Sequence, residues 1–236
     1  MSKAKIIVLE GLDGSGKSTQ IELIKEFYQS KGLKLKHIHF PMYGHNEASA
    51  VVSAYLRGEY GDINTVRPQF VGMIYAMDRF FYLPQLLIDL EENDIVLMDR
   101  YVFSGMAFQG AKFNLEHDAI RIMNWLYNYE FDFLKLPMYD LSIFIDVPIE
   151  SIEERLKIRA DDENRDYLNG KADIHEADIE FQKRVRDNYL RIYNDEVYFN
   201  FTRNMNRHVK CEKMTPAEIF MQYAKLLETV LTYQTR

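Results

Sequence analysis

The segment Gly11-Leu12-Asp13-Gly14-Ser15-Gly16-Lys17-Ser18-Thr19 constrains this chain more than any other. It contains G-x-x-x-x-G-K-[ST], the pattern of a phosphate-binding loop. Its surroundings fit that use. Lys5-Ile6-Ile7-Val8-Leu9-Glu10 before it is a short apolar run rich in β-branched residues, the signature of a buried parallel strand. After it, Ile21, Leu23, Ile24, Phe27 and Tyr28 recur at helical spacing. Backbone N–H groups of a glycine-rich turn can converge on an anion, and the positive end of the following helix adds to the attraction. Glycines at 11, 14 and 16 permit the backbone angles such a turn needs. Lys17 is placed to reach the β- and γ-phosphates of a triphosphate, and Ser18 to offer its hydroxyl to Mg²⁺.

Strand-like runs recur at 5–10, 34–40, 95–98, 141–147 and 207–211, with helical patterns at 17–30, 46–57, 67–91, 115–129, 148–159 and 176–195 between them. Thr215-Pro216 opens a last helix running to about 233, with Thr215 as N-cap and Pro216 in the first helical position. This alternation predicts parallel strands joined by right-handed crossovers, with helices on both faces. Ligands of such sheets bind beyond the carboxyl ends of the strands. The chemistry is therefore expected near Glu10–Gly16, Phe40–Tyr43, Asp99–Gly105 and Asp146–Pro148.

At 236 residues and 47% hydrophobic, the chain can bury one sizeable core, and one domain is expected. A net charge of −7 without a basic block argues against general nucleic-acid binding. The single cysteine, Cys211, can form no internal disulfide and reads as a small core residue. No apolar run approaches the ~20 residues that span a membrane, and no signal peptide pattern opens the chain, so a cytoplasmic location is expected.

A second motif follows the third strand. Asp99 stands where a carboxylate can hold Mg²⁺ opposite Ser18, and Arg100 beside it can clamp a phosphate through two parallel hydrogen bonds. The full run, Asp99-Arg100-Tyr101-Val102-Phe103-Ser104-Gly105-Met106-Ala107-Phe108-Gln109-Gly110, resembles the thymidylate kinase (dTMP kinase) pattern D-R-Y-x-x-S-x-x-A-Y/F-Q/T-G. The loop in its E-G-x-D-G-x-G-K-S-T form is similar to that family's too. So are Phe40-Pro41, Tyr75-Ala76-Met77-Asp78-Arg79 and Phe181-Gln182-Lys183-Arg184-Val185-Arg186.

The resemblance implies a three-layer α/β/α sandwich of the P-loop kinase type around a five-stranded parallel sheet. It also implies one domain over 1–236 with a mobile lid at about 158–176, a homodimer, and transfer of the γ-phosphoryl of MgATP to dTMP. ATP would be held by Gly11, Asp13, Gly14, Ser15, Gly16, Lys17, Ser18 and Thr19, with Arg155 against adenine. Asp13 would contact the 3′-hydroxyl of the deoxyribose, Tyr75 would stack on thymine, and Arg79 would hydrogen-bond the base. Tyr75 and Arg79, four residues apart, share one face of a helix. Arg100 would hold the acceptor phosphate, Gly105 and Gln109 would face the base, and Pro41 and Leu56 would line the pocket. With Gly14 leaving the loop without a cation, the lid would supply one, Arg159 rather than Arg165. The catalytic residues implied are Lys17, Arg100 and Arg159.

Two departures stand out. Many relatives carry an arginine near the proline after the second strand, but Phe40-Pro41-Met42-Tyr43 has none, which shifts that duty to Arg100 or Arg57. Many also read D-R-[FY]-E after the lid, where this chain has Asp173-Ile174-His175-Glu176. His175 would then take the place of the aromatic that crowds the 2′ side of the sugar. A kinase for another (deoxy)nucleotide or a deoxynucleoside is the alternative. A nucleotide-dependent switch is the third reading, and no N-K-x-D for guanine occurs in the chain.

Overall fold

The computed structural model describes residues 4–153, 168, 173–175, 178–194 and 205–232. Five strands, β1 (Lys5–Gly11), β2 (Leu35–His39), β3 (Ile95–Asp99), β4 (Leu141–Asp146) and β5 (Met205–Lys210), form one parallel sheet in the order β2-β3-β1-β4-β5. The central strands are the apolar runs KIIVLEG, IVLMD and LSIFID, buried almost throughout because helices cover both faces. The edge strand β2, LKHIH, is half-exposed.

Helix α1 (Lys17–Ser30) packs on β1, β2 and β3 together with the C-terminal helices α7 (Pro216–Met221) and α8 (Ala224–Thr232). The other layer contains α2 (Glu47–Leu56), α3 (Pro68–Glu92), α4 (Val102–Gly110), α5 (Glu116–Tyr127) and α6 (Ile179–Asn194). Thr215 caps α7 as expected, and Glu218 completes a capping box with it. The last helical pattern, however, breaks into α7 and α8. No described helix is long and apolar enough to cross a membrane.

Two elements depart from the sequence pattern. Helix α4 is buried on every side, so its sequence VFSGMAFQG shows no polar face and no amphipathic period. The pattern at 115–129 ends as an α-helix at Tyr127 and continues as a π-helical turn over Asn128–Phe133. That turn carries Glu130 into the interior.

One buried carboxylate ties the layers to the sheet. Glu10, at the carboxyl end of β1, is wholly buried. It accepts from Tyr101 N at 2.9 Å, Ser104 N at 3.2 Å, Ser104 Oγ at 2.5 Å and the Tyr189 hydroxyl at 2.9 Å. Helix α4 has no side-chain cap of its own, and Glu10 supplies the anion at its N-terminus from a different strand. Burial raises the Glu10 pKa, and the four donors and the Arg100 charge oppose that rise.

Replacing Glu10 with Gln keeps the shape but turns one acceptor oxygen into a donor facing donors. The substitution should lower stability by about 2–3 kcal/mol in urea unfolding, the scale of buried hydrogen bonds to a charged group. An unchanged midpoint would remove Glu10 from its structural role.

Candidate active site

The phosphate loop leaves β1 at Gly11, whose φ is 156°. A Cβ there would meet Ile145 O at 2.9 Å and Ser15 Oγ at 2.7 Å, so only glycine lets the loop turn this close to β4. Gly16, with φ 88°, is the N-cap of α1 and makes no side-chain capping bond, and the first turn of α1 holds no acid. The N–H groups at that terminus therefore remain available to an anion. Ser15 Oγ is buried with no hydrogen-bond partner among the described residues. Lys17 donates to Leu12 O at 2.9 Å and Gly11 O at 3.3 Å. Burial, then the Arg100 charge, pull its pKa down to about 8, against the pull of Asp99, Asp13 and Glu10.

The sheet register brings the second motif to this loop. Leu9 pairs with Asp99, and Asp99 with His39, so the carboxyl ends of β1, β3 and β2 lie level. Asp99 accepts from His39 Nδ1 at 3.1 Å on Oδ2, while its Oδ1 is buried without a partner among the described residues. Burial would raise the Asp99 pKa, but the His39 hydrogen bond and the charges of Lys17 and Arg100 hold it at about 2. Ser18 lines the same cavity, which runs along the loop from Asp13 to Gln20 and past Asp99. Among the described residues no cluster of three or more His, Cys, Asp or Glu could hold a metal alone. An ionised, orphaned carboxylate oxygen facing a hydroxyl and a phosphate loop fits Mg²⁺, which takes one or two protein ligands and completes its shell with water and phosphate.

Arg100 sits at φ 66°, a left-handed conformation costly for arginine and held by the Arg100 N to Leu9 O bond of 2.9 Å. Its guanidinium donates to Asp13 Oδ1 at 2.9 Å and Ser104 Oγ at 3.0 Å. Burial opposes its charge, yet Asp13 and the neighbouring acids more than offset this and raise its pKa further. Arg100, Asp13 and His39 border both the loop cavity and a second cavity of about 260 Å³.

The second cavity is lined by Pro41, Leu56, Tyr75, Arg79, Gly105, Gln109 and His175, so every residue expected in the acceptor pocket meets there. Arg79 donates through Nε and Nη2 to the two oxygens of Glu130, at 2.5 and 2.7 Å, and is 2% exposed. The ion-pair partner is Glu130 on the π-helical turn, while the adjacent Asp78 accepts from Met42 N and Asn46 Nδ2. Burial lowers the Arg79 pKa, but Glu130 reverses the sign. Gly105 lets this pair approach, since a Cβ there would meet Arg79 Nη2 at 3.3 Å. Both polar atoms of the Gln109 side chain are buried with no partner among the described residues.

His175 is 4% exposed. Arg57 pairs with Glu59 at 2.7 Å and lies outside the residues that line the pocket. Arg155, Arg159 and Arg165 lie outside the described residues, as does nearly all of the expected lid. Asp146 is held by Arg186, at 2.6 and 3.1 Å, and by His208 at 2.8 Å, which makes it a clamp between β4, α6 and β5. His39, Phe108 and Asp173 also line the acceptor cavity and were not among the expected site residues. The place of His39, last in β2, was the one signal that could have marked it.

A family model described as thymidylate kinase matches residues 9–212. The chain is 31% identical to a thymidylate kinase of Mycobacterium tuberculosis, over 79% of this chain and 85% of that protein. It is 29% identical to a probable thymidylate kinase of Pyrococcus horikoshii, over 79% and 81%. The structure of a thymidylate kinase from Candida albicans superposes with a TM-score of 0.69 at 23% identity, covering 96% of this chain and 92% of that one, a likeness of fold. With the family model spanning most of its length, the chain belongs to the thymidylate kinase family.

Proposed function

We propose that this protein transfers the γ-phosphoryl group of MgATP to dTMP, giving dTDP and ADP. The observation that carries this reading is the orphaned Gln109 amide beside Arg79 in the acceptor cavity. A thymine ring offers carbonyl acceptors flanking an N3–H donor. Gln109 supplies an acceptor and a donor, and Arg79 Nη1 makes no protein hydrogen bond among the described residues. Buried groups built to hydrogen-bond a substrate reject analogues that leave them unpaired. Tyr75 adds an aromatic face to the same wall.

The residues of the chain act mainly by position and charge. The loop N–H groups and Lys17 bind the triphosphate. Arg100, standing between the two cavities, binds the acceptor phosphate and meets the charge that develops on the transferring group. Asp13 holds the sugar hydroxyl from the loop itself. Asp99 and Ser18 would hold Mg²⁺, which when bound neutralises phosphate charge. No strong general base is needed, because the acceptor phosphate is already anionic at neutral pH. Arg155 and Arg159 remain assigned to adenine and to the transferring group through sequence resemblance, within one kinase domain carrying a lid at about 158–176. ATP and Mg²⁺ are abundant in cytoplasm, which suits a cytoplasmic enzyme.

A homodimer completes the reading. On α3, Phe70, Phe80, Phe81, Leu87 and Ile88 are exposed, and their spacing lays one apolar stripe along the helix. A second copy of this chain, with the same stripe, is the partner that a two-fold interface requires.

ADP release from MgATP measured against a panel of nucleoside monophosphates and nucleosides should be fastest with dTMP. Absence of dTMP-dependent ADP would sink the proposal, and faster turnover of dUMP, dGMP or thymidine would move it to another acceptor. Arg100→Ala should lower turnover at least ~100-fold, the scale of a lost electrostatic donor; near-normal kinetics would take Arg100 out of the site. Light scattering should give twice the chain mass for the native protein, and Phe81→Glu with Ile88→Glu should halve it. A native monomer would dismiss the α3 interface.

A further inference from the structure

Three polar groups meet behind the wall of the acceptor cavity. Lys112, just past α4, donates from Nζ to the Tyr55 hydroxyl at 2.7 Å and lies 4.8 Å from the centre of its ring. The same hydroxyl lies 3.1 Å from His175 Nε2. Among the described residues no carboxylate pairs with Lys112, so a largely desolvated cation has a phenol as its only hydrogen-bond partner. Burial lowers its pKa to about 7. Such an arrangement is costly for stability alone.

The proton positions follow from counting donors. While Lys112 is protonated it can only donate, so the Tyr55 oxygen accepts from it and the Tyr55 hydrogen has one acceptor in reach, His175 Nε2. If Nε2 carried the proton instead, the buried Tyr55 hydrogen would be left unpaired, a cost of about 1–3 kcal/mol. His175 is neutral, since burial and the Lys112 charge pull its pKa down to about 3. A neutral imidazole that accepts at Nε2 must carry its hydrogen on Nδ1. No described residue accepts from that Nδ1–H.

The ring is held firmly. Phe108 and Phe181 pack against it with centroids at 5.3 and 5.2 Å. Its backbone is fixed by His175 N to Asp173 Oδ1 at 2.8 Å and by Gln182 Nε2 to His175 O at 2.8 Å, and the preceding Ile174 N bonds Leu56 O at 3.1 Å. His175 lines the cavity at the end shared with Asp13 and Arg100, and it feels the charges of both.

We infer that Lys112 and Tyr55 are positioning residues that hold His175 as an Nδ1–H donor to the 3′-hydroxyl oxygen of the acceptor nucleotide, opposite Asp13. The inference rests on the kinase reading above. A hydroxyl is at once donor and acceptor, so Asp13 takes its hydrogen while His175 serves its oxygen. A sugar lacking that hydroxyl leaves the His175 Nδ1–H unpaired.

Two measurements test this. Nitrogen NMR of the histidine rings in ¹⁵N-labelled protein should show His175 as the Nδ1–H tautomer at pH 6, where Lys112 is protonated, and Tyr55→Phe or Lys112→Met should move it toward a tautomer mixture at the same pH. An Nε2–H tautomer in the native protein, or no change in either variant, overturns the relay. Steady-state kinetics should show the KM for dTMP rising about 5- to 10-fold in Tyr55→Phe, as loss of one hydrogen bond implies. The KM for ATP should hold, and the KM for 3′-deoxythymidine monophosphate should change less than twofold. An equal rise for both acceptors, or no rise for dTMP, overturns the contact. The NMR arm needs no turnover, so an inactive native protein would reject the kinase reading while the tautomer is still decided.

Discussion

The buried carboxylate of Glu10 is the constraint on which the site depends. It gathers two backbone N–H groups and two hydroxyls from α4 and α6 onto the carboxyl end of β1. Because Arg100 lies between β3 and α4, fixing the start of α4 also fixes the unusual backbone of Arg100. The same strand leads directly into the phosphate loop. A single anion therefore sets the distance between the loop and the arginine. Burying that anion raises its pKa, and the structure spends four donors to keep it in place. Ser104 shows the economy of the arrangement, since its hydroxyl accepts from Arg100 and donates to Glu10.

A second buried charge pair organises the other end of the pocket. Arg79 and Glu130 are both desolvated, which is expensive, and the bidentate geometry offsets much of that cost. The pair fixes the plane of the guanidinium, so what remains of Arg79 is presented to the cavity in one orientation. The π-helical turn makes this possible, because a regular continuation of α5 would aim residue 130 differently. Gly105 gives the pair room on the facing helix, where a Cβ would press on the guanidinium at 3.3 Å.

The sequence was most legible where local chemistry and periodicity agree. The loop, the five strands and the N-cap at Thr215 each follow from residues adjacent in the chain, and the structure places them within a few residues of expectation. Helix α4 was not legible, because a helix buried all round loses the polar face that periodicity detects. Glu130 and the Lys112–Tyr55 pair were invisible for a different reason. Each matters only through a partner 51 or 57 positions away, and nothing in the local sequence announces such a meeting. Arg57, the alternative to Arg100 for the missing arginine, caps α2 and donates to Glu59.

On the proposed reading, the charges at the junction of the two cavities let one loop serve two ligands. Lys17 donates to two backbone carbonyls, and Arg100 donates to Asp13 and to two hydroxyls. A phosphate oxygen carries charge that a carbonyl or hydroxyl lacks, so exchanging these partners for phosphate strengthens the interaction without requiring a new side chain. Asp13 is the exception, being itself an anion. On that reading, Asp13 gives up part of its counter-charge when Arg100 turns toward an acceptor phosphate. A sugar hydroxyl would then donate to it. The loop aspartate and the strand-end arginine would thereby be coupled: a nucleotide that offers both a phosphate and a correctly placed hydroxyl would engage both residues at once.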